Sequence, residues 1–134
     1  MKPPKETKEG CLYLIGLENE KNQEYQHVKL GYTTQTAYRR MGSMGTGMPF
    51  TDLYIIHETI KFPYAYAHEK YYHTRLKHKK TKREWFKLSM EEISELKDEM
   101  EEDAEICYDI GKEVFEGDYN TIYHQKLWNQ KLFP

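Results

Sequence analysis

The tightest constraint on this chain comes from two short segments, Cys11-Leu12-Tyr13-Leu14-Ile15 and His27-Val28-Lys29-Leu30-Gly31-Tyr32, which flank a polar stretch from Glu18 to Gln26. In the second segment Val28 and Leu30 point to one side of an extended chain, and His27 and Lys29 point to the other. This alternation predicts two strands of a β-hairpin with a long loop, one face apolar and one face carrying chemistry. If Leu12 and Leu14 pair on the Val28/Leu30 face, the period of two places Tyr13 on the same side as Lys29. Tyr32, one residue past the glycine, then faces the core.

Thr33 or Thr34 is placed to cap a helix through Ala37, Tyr38, Arg39, Arg40 and Met41, which runs into the glycine-rich stretch Gly42 to Pro49. Leu53 to His57 reads as a third strand. A helix is expected from Phe62-Pro63 to about His78, with Pro63 in the first turn, where its missing N–H is harmless. Its stripe at helical spacing is Ala65, Glu69, Tyr72 and Leu76, so a carboxylate sits in an otherwise apolar row. Glu84-Trp85-Phe86-Lys87-Leu88 looks like a short strand with bulky anchors. Ser89 followed by Glu92 forms a capping box that opens an acidic helix, with Ile93, Leu96 and Met100 on one face. Helix is expected to continue to Phe115, and a last helix to span about Asn120 to Leu132. No internal repeat is evident.

The length of 134 residues suits a single domain, and the 38% hydrophobic content supports one core. Residues 1–9 contain no large apolar side chain beyond Met1 and read as a flexible leader. The formal charge of −2 argues against a polybasic binder but leaves room for a local basic face. No apolar run reaches the roughly 18 residues of a membrane span, and the opening residues lack the apolar stretch of a signal peptide. The expectation is an intracellular protein, in host cytoplasm if viral, with no membrane partner. Cys11 and Cys107 lack CxxC spacing, so reduced thiols are expected and neither a disulfide framework nor a cysteine zinc site is indicated.

Gly10-Cys11-Leu12-Tyr13, Lys29-Leu30-Gly31-Tyr32-Thr33, Arg39-Arg40, Glu69 and Glu84-Trp85-Phe86 follow one another in an order and spacing that resembles the GIY-YIG nuclease superfamily, in particular its phage- and virus-type branch. Gly47-Met48-Pro49-Phe50 also looks like a landmark of that branch. The resemblance covers roughly residues 10–88. It implies a small α+β domain, a three-stranded mixed or mainly antiparallel sheet flanked by helices; residues 89–134, beyond the resemblance, read as a helical extension packed on it. It also implies a metal-dependent endonuclease of a phage, virus or mobile element, acting on nucleic acid, with DNA favoured over RNA. Residue by residue, the motif tyrosine falls on Tyr13, the second-motif glycine on Gly31, the arginine on Arg39 or, preferably, Arg40, and the metal-binding glutamate on Glu69. Lys29 stands where many members have a second tyrosine.

Phosphodiester hydrolysis needs a water to lose a proton, phosphoryl oxygens to be neutralised and the leaving oxygen to be stabilised. Tyr13 and Lys29 are candidates for the base and its cationic partner, and which of the two is the base stays open. Arg40 offers phosphate a planar fork of donors. Glu69 offers one hard oxygen ligand, which suits Mg²⁺ or Mn²⁺. His57 and His73 are candidates near the site, His57 being included with the catalytic set. Arg39, Lys70, Arg75, Lys77, Lys79, Lys80, Lys82 and Arg83, interleaved with aromatic residues, are candidates to grip the substrate.

His68 and His73 are five residues apart, about 140° around a helix, so they do not share a zinc ion as in a metalloprotease motif. Gly42 to Gly47 lacks the Lys-Ser/Thr ending of a phosphate loop. The run of acids from Glu91 to Glu105 repels nucleic acid and reads as a solvated face turned away from substrate, the alternative being a surface that holds a basic partner or mimics DNA charge. The competing reading is a catalytically inactive nuclease-like scaffold that binds protein or nucleic acid. Its aromatic C-terminus, Tyr119, Tyr123, Trp128 and Phe133, offers an interface for a protein partner or self-association.

Overall fold

The hairpin forms as the alternation requires. In the computed structural model, which describes residues 9–44, 52–82 and 85–116, β1 (Cys11–Leu17) and β2 (Tyr25–Thr33) pair antiparallel, with Tyr13 opposite Gly31, Leu14 opposite Leu30 and Ile15 opposite Lys29. The connection contains a single turn of 3₁₀ helix at Glu18–Glu20. There follow α1 (Ala37–Met44), β3 (Leu53–Glu58), α2 (Ala65–Arg75), β4 (Lys80–Lys82), β5 (Trp85–Ser89) and α3 (Met90–Glu116). All strand pairings are antiparallel, in the order β3-β1-β2-β5-β4.

The expectation of three strands is corrected to five among the described residues. β2 is long and offset: Val28–Thr33 pair with β1, while Tyr25–Lys29 pair with β5. That leaves a second edge, which β5 fills and β4 extends. Lys80 and Lys82, expected as part of a basic stretch, lie on the outermost strand, a place where lysines discourage further pairing.

The two faces of the sheet differ in depth. Leu12, Leu14, Val28, Leu30, Phe86 and Leu88 build the main core with residues from α2 and from α3, where Ile93, Leu96, Met100, Ala104 and Cys107 form the buried stripe. The opposite face holds a smaller cluster, in which Tyr13, Ile15 and Ala37 are buried and Met41, Leu53, Ile55 and Trp85 pack around them. There α1 rests on β1 and β3.

The helix limits also shift for identifiable reasons. Thr36, rather than Thr33 or Thr34, caps α1: its hydroxyl accepts the Arg39 N–H at 3.1 Å. Pro63 is followed by Tyr64 in the left-handed region (φ 67°), so α2 starts only at Ala65. It ends at Arg75 and is followed by a separate 3₁₀ turn at Lys77–Lys79. The Ser89/Glu92 capping box forms as expected, with reciprocal bonds of 3.0 and 3.1 Å. Residues 1–8 of the expected 1–9 leader, the Gly47–Phe50 landmark, Arg83, Glu84 and the helix expected at Asn120–Leu132 lie outside the described residues.

Candidate active site

Tyr13 is almost fully buried, at 1% exposure. Its ring crosses from β1 onto the neighbouring strand and lies over Gly31. A Cβ at position 31 would sit 2.2 Å from the Tyr13 hydroxyl and 2.4 Å from Cζ, so glycine is required there by close approach. Lys29, opposite Ile15 and next to Trp85 of β5, projects from this same face and is half-buried. The shared face of Tyr13 and Lys29 therefore follows from strand parity and is present.

α1 is anchored on this face from below by Ala37 and at its start by a carboxylate. Glu58, opposite Tyr13 on β3, accepts the Ala37 N–H through Oε2 at 2.7 Å, and the Cys11 thiol donates to the same oxygen at 3.5 Å. Burial, and then the charge of Glu58, push the Cys11 thiol up to about 12. Arg39 and Arg40 lie exposed on the helix held in this way.

Glu69 approaches from the other layer. The fully buried residues of α2 are Ala65, His68 and Tyr72. His68 thus takes the interior place in the stripe expected of Glu69, and Glu69 is half-buried beside it. One turn further on, His73 Nε2 meets the Leu30 carbonyl at 2.8 Å, and its ring packs edge-on against Phe86. The Tyr32 phenol, which faces the main core, is pushed above its usual range by burial and then by the negative charge of Glu69. Glu69 therefore lies alongside the Leu30–Tyr32 stretch of β2, whose middle residue, Gly31, carries the Tyr13 ring on its far side.

His57 is not brought to the Tyr13 face. The β1/β3 register shifts between Leu14, opposite His57, and Ile15, opposite Ile55. This irregularity turns His57 toward α3, where Nε2 lies 2.9 Å from Glu101 Oε2, close but without hydrogen-bond alignment. The basic stretch is divided too. Arg75 is held by Glu99 of α3 at 2.7 Å, and the Lys70 ammonium sits 4.5 Å from the Tyr66 ring centroid. Lys79 is 3.5 Å from Glu92, and Lys77 and Lys80 are exposed. Nor are the acids of α3 simply a solvated face: Glu92, Glu99 and Glu101 meet cationic or histidine side chains, and Asp103 is buried against the Tyr72 hydroxyl.

The family model of the T5orf172 domain matches residues 10–101. The chain belongs to the T5orf172 domain family. This is a phage-associated domain found in some nuclease-like proteins. No curated protein and no solved structure matches the chain. The T5orf172 match contains the whole sheet, α1, α2 and the start of α3, and hence Tyr13, Lys29, Arg39, Arg40 and Glu69.

Among the described residues of this T5orf172 domain, no three or more His, Cys, Asp or Glu side chains cluster as a metal cage. A single half-buried carboxylate such as Glu69 fits a Mg²⁺-type ion, which keeps several waters and takes one or two protein carboxylates together with substrate phosphate. Among the described residues no helix is long and apolar enough to cross a membrane. Glu58 was missed at the sequence level, because nothing local to it signals a bond to a helix start 21 residues away.

Proposed function

We propose that this chain is a metal-dependent endonuclease of GIY-YIG type that hydrolyses phosphodiester bonds of nucleic acid, DNA in preference to RNA, and that serves a phage, virus or mobile element. The observation that carries this reading is the Tyr13–Gly31 approach. A tyrosine ring laid over a strand glycine, with a lysine on the same face and the arginine-bearing helix docked beside it, occurs in a phage-associated domain found in nuclease-like proteins.

In this reading Arg40, with Arg39 beside it, binds the phosphoryl oxygens of the scissile group. Lys29 and Tyr13 are the two groups available to orient the attacking water and take its proton. Tyr13 is sealed from bulk solvent at 1% exposure, whereas Lys29 on the same face is half-buried. Glu69, which lies in the opposite layer from Arg39 and Arg40, is the residue that would hold Mg²⁺ or Mn²⁺, and such an ion would supply charge neutralisation.

The second reading is a nucleic-acid- or protein-binding module without catalysis, and the 1% exposure of Tyr13 favours it. Incubating labelled single- and double-stranded DNA and RNA with Mg²⁺ or Mn²⁺, beside EDTA and a Glu69→Gln variant, separates the two. Cutting that is lost with EDTA and with Glu69→Gln supports the nuclease. Binding without cutting of any substrate places the binding module first.

A further inference from the structure

At the far end of β2 and β5 the side chains of Tyr25, His78, Lys79, Lys80, Thr81 and Lys87 line a cleft of about 350 Å³. We propose that this cleft is a second nucleic-acid subsite, which holds the backbone of a strand leaving the Tyr13/Lys29 face and stacks an unpaired base on Tyr25. The proposal rests on nucleic acid being the substrate.

Three observations support it. First, the lining carries three lysines and a histidine but no carboxylate, in a chain with 22 acidic residues and a net charge of −2. Lys79 is met by Glu92 at 3.5 Å, which leaves Lys80 and Lys87, both exposed, as the outward cations. Such local concentration of positive charge is what a phosphate backbone recognises. Second, Tyr25 is 52% exposed, whereas Tyr13, Tyr64 and Tyr72 are buried, and the Lys87 ammonium stands 5.9 Å from the Tyr25 ring centroid. An open aromatic ring among cations binds unpaired bases without regard to their identity.

The third observation is direction. Tyr25, His27 and Lys29 alternate with buried Gln26, Val28 and Leu30, and Lys87 lies between buried Phe86 and Leu88. Tyr25 and Lys87 therefore project on the same side of the sheet as Lys29, and Lys80, paired with Phe86 across β4 and β5, reaches the cleft from the sheet edge. Four residues along an antiparallel strand span about 13 Å, and each nucleic-acid strand carries a phosphate roughly every 3.4 Å of duplex axis. A strand seated at Lys29 and following β2 thus brings a phosphate only a few positions away into the cleft. An acidic protein would exploit the charge but not the exposed ring.

The test is fluorescence anisotropy of short labelled single-stranded and duplex DNA, titrated with the full chain carrying Glu69→Gln in EDTA over a range of salt. Variants are Lys80→Glu with Lys87→Glu, Tyr25→Ala and Tyr25→Phe. The charge reversal is expected to weaken binding of both DNAs about tenfold or more and to flatten the salt dependence. Tyr25→Ala is expected to weaken single-strand binding at least about fivefold, with a smaller effect on duplex, and Tyr25→Phe to restore it. Unchanged affinity and salt slope, or equally tight binding of poly-glutamate, would overturn the proposal. If the variants bind as the parent while the native chain cuts DNA, the subsite fails and the nuclease reading stands. If the variants lose binding while the native chain cuts nothing, the subsite stands and the nuclease reading fails.

Discussion

Glu58 and Ala37 join β3 to the start of α1 through one hydrogen bond, 2.7 Å from the carboxylate to the backbone N–H. The bond satisfies a donor that has no partner within the helix and places negative charge at the positive end of the helix. It also fixes the start of the helix that carries Arg39 and Arg40, directly across the sheet pairing from Tyr13. Removal of this carboxylate is therefore expected to loosen α1 before it unfolds the domain. Glu58→Ala should lower stability by about 1 kcal/mol, the usual worth of a helix-start acceptor, and raise amide hydrogen exchange at Ala37 and the following residues. Glu58→Gln, which keeps an acceptor oxygen, should recover most of the protection. Equal exchange in all three proteins would show that the bond does not hold the helix.

Gly31→Ala puts a Cβ where the Tyr13 ring lies, 2.2 Å from its hydroxyl and 2.9 Å from Cε1. The buried ring must move, at a cost of about 1–3 kcal/mol for overpacking. In a Tyr13→Leu background the same glycine substitution should cost much less, because the obstructing atoms are gone. Urea unfolding of the four proteins gives the coupling directly. Additive effects would mean that the two residues do not meet.

The parts of this arrangement legible in the sequence are those set by short-range periodicity. Alternation in Cys11–Ile15 and His27–Tyr32 was enough to put Tyr13 and Lys29 on one face and Tyr32 on the other, since a strand has only two sides. The Ser89/Glu92 capping box was equally local. What local reading missed came from long-range pairing. Trp85–Leu88 reads as a strand, but nothing in it reveals that β2 is offset enough to accept it and so widen the sheet to five strands. The irregularity between Leu14 and Ile15, which turns His57 toward Glu101, depends on how β3 settles against β1. Along 70–83, one basic run is divided among α2, a 3₁₀ turn and β4, so charges contiguous in sequence end against Glu99, against Glu92 and in the Tyr25 cleft.

Cys11 gives the domain an alkaline sensitivity. An ordinary thiol titrates near 9.0, and in the fold Cys11 is pushed up to about 12. Between these values the unfolded chain has lost a proton that the folded chain keeps. The contribution of Cys11 is thus constant below about pH 9 and lowers stability as pH rises toward 12. By pH 10.5 the loss should be about 2 kcal/mol, at 1.36 kcal/mol per pH unit. Cys11→Ala should flatten this slope in urea unfolding measured at pH 8 and 10.5, and wild-type Cys11 should react slowly with thiol reagents near neutral pH. A slope identical in wild type and Cys11→Ala would assign the alkaline loss elsewhere.

Tyr72 and Asp103 tie α2, and with it Glu69, to α3. The Tyr72 hydroxyl donates to Asp103 Oδ2 in the interior, where Tyr72 is fully buried and Asp103 is 7% exposed. Burial, then the adjacent carboxylate, push the Tyr72 phenol far above its usual range, so it remains a neutral donor throughout the stable pH range. Tyr72→Phe preserves the packing of the ring but takes this donor from a buried charge, which should cost about 1–3 kcal/mol. Adding Asp103→Leu removes the charge as well and should return part of that loss, because a paired polar group replaced on both sides by apolar atoms leaves nothing unsatisfied. If the bond positions α2 rather than merely adding stability, Tyr72→Phe should also change the exchange of the Glu69 and His73 amides at a denaturant concentration where both proteins stay folded. Stability lost without that local change would confine the pair to the core and leave the placement of Glu69 to Ala65, His68 and the His73–Leu30 bond.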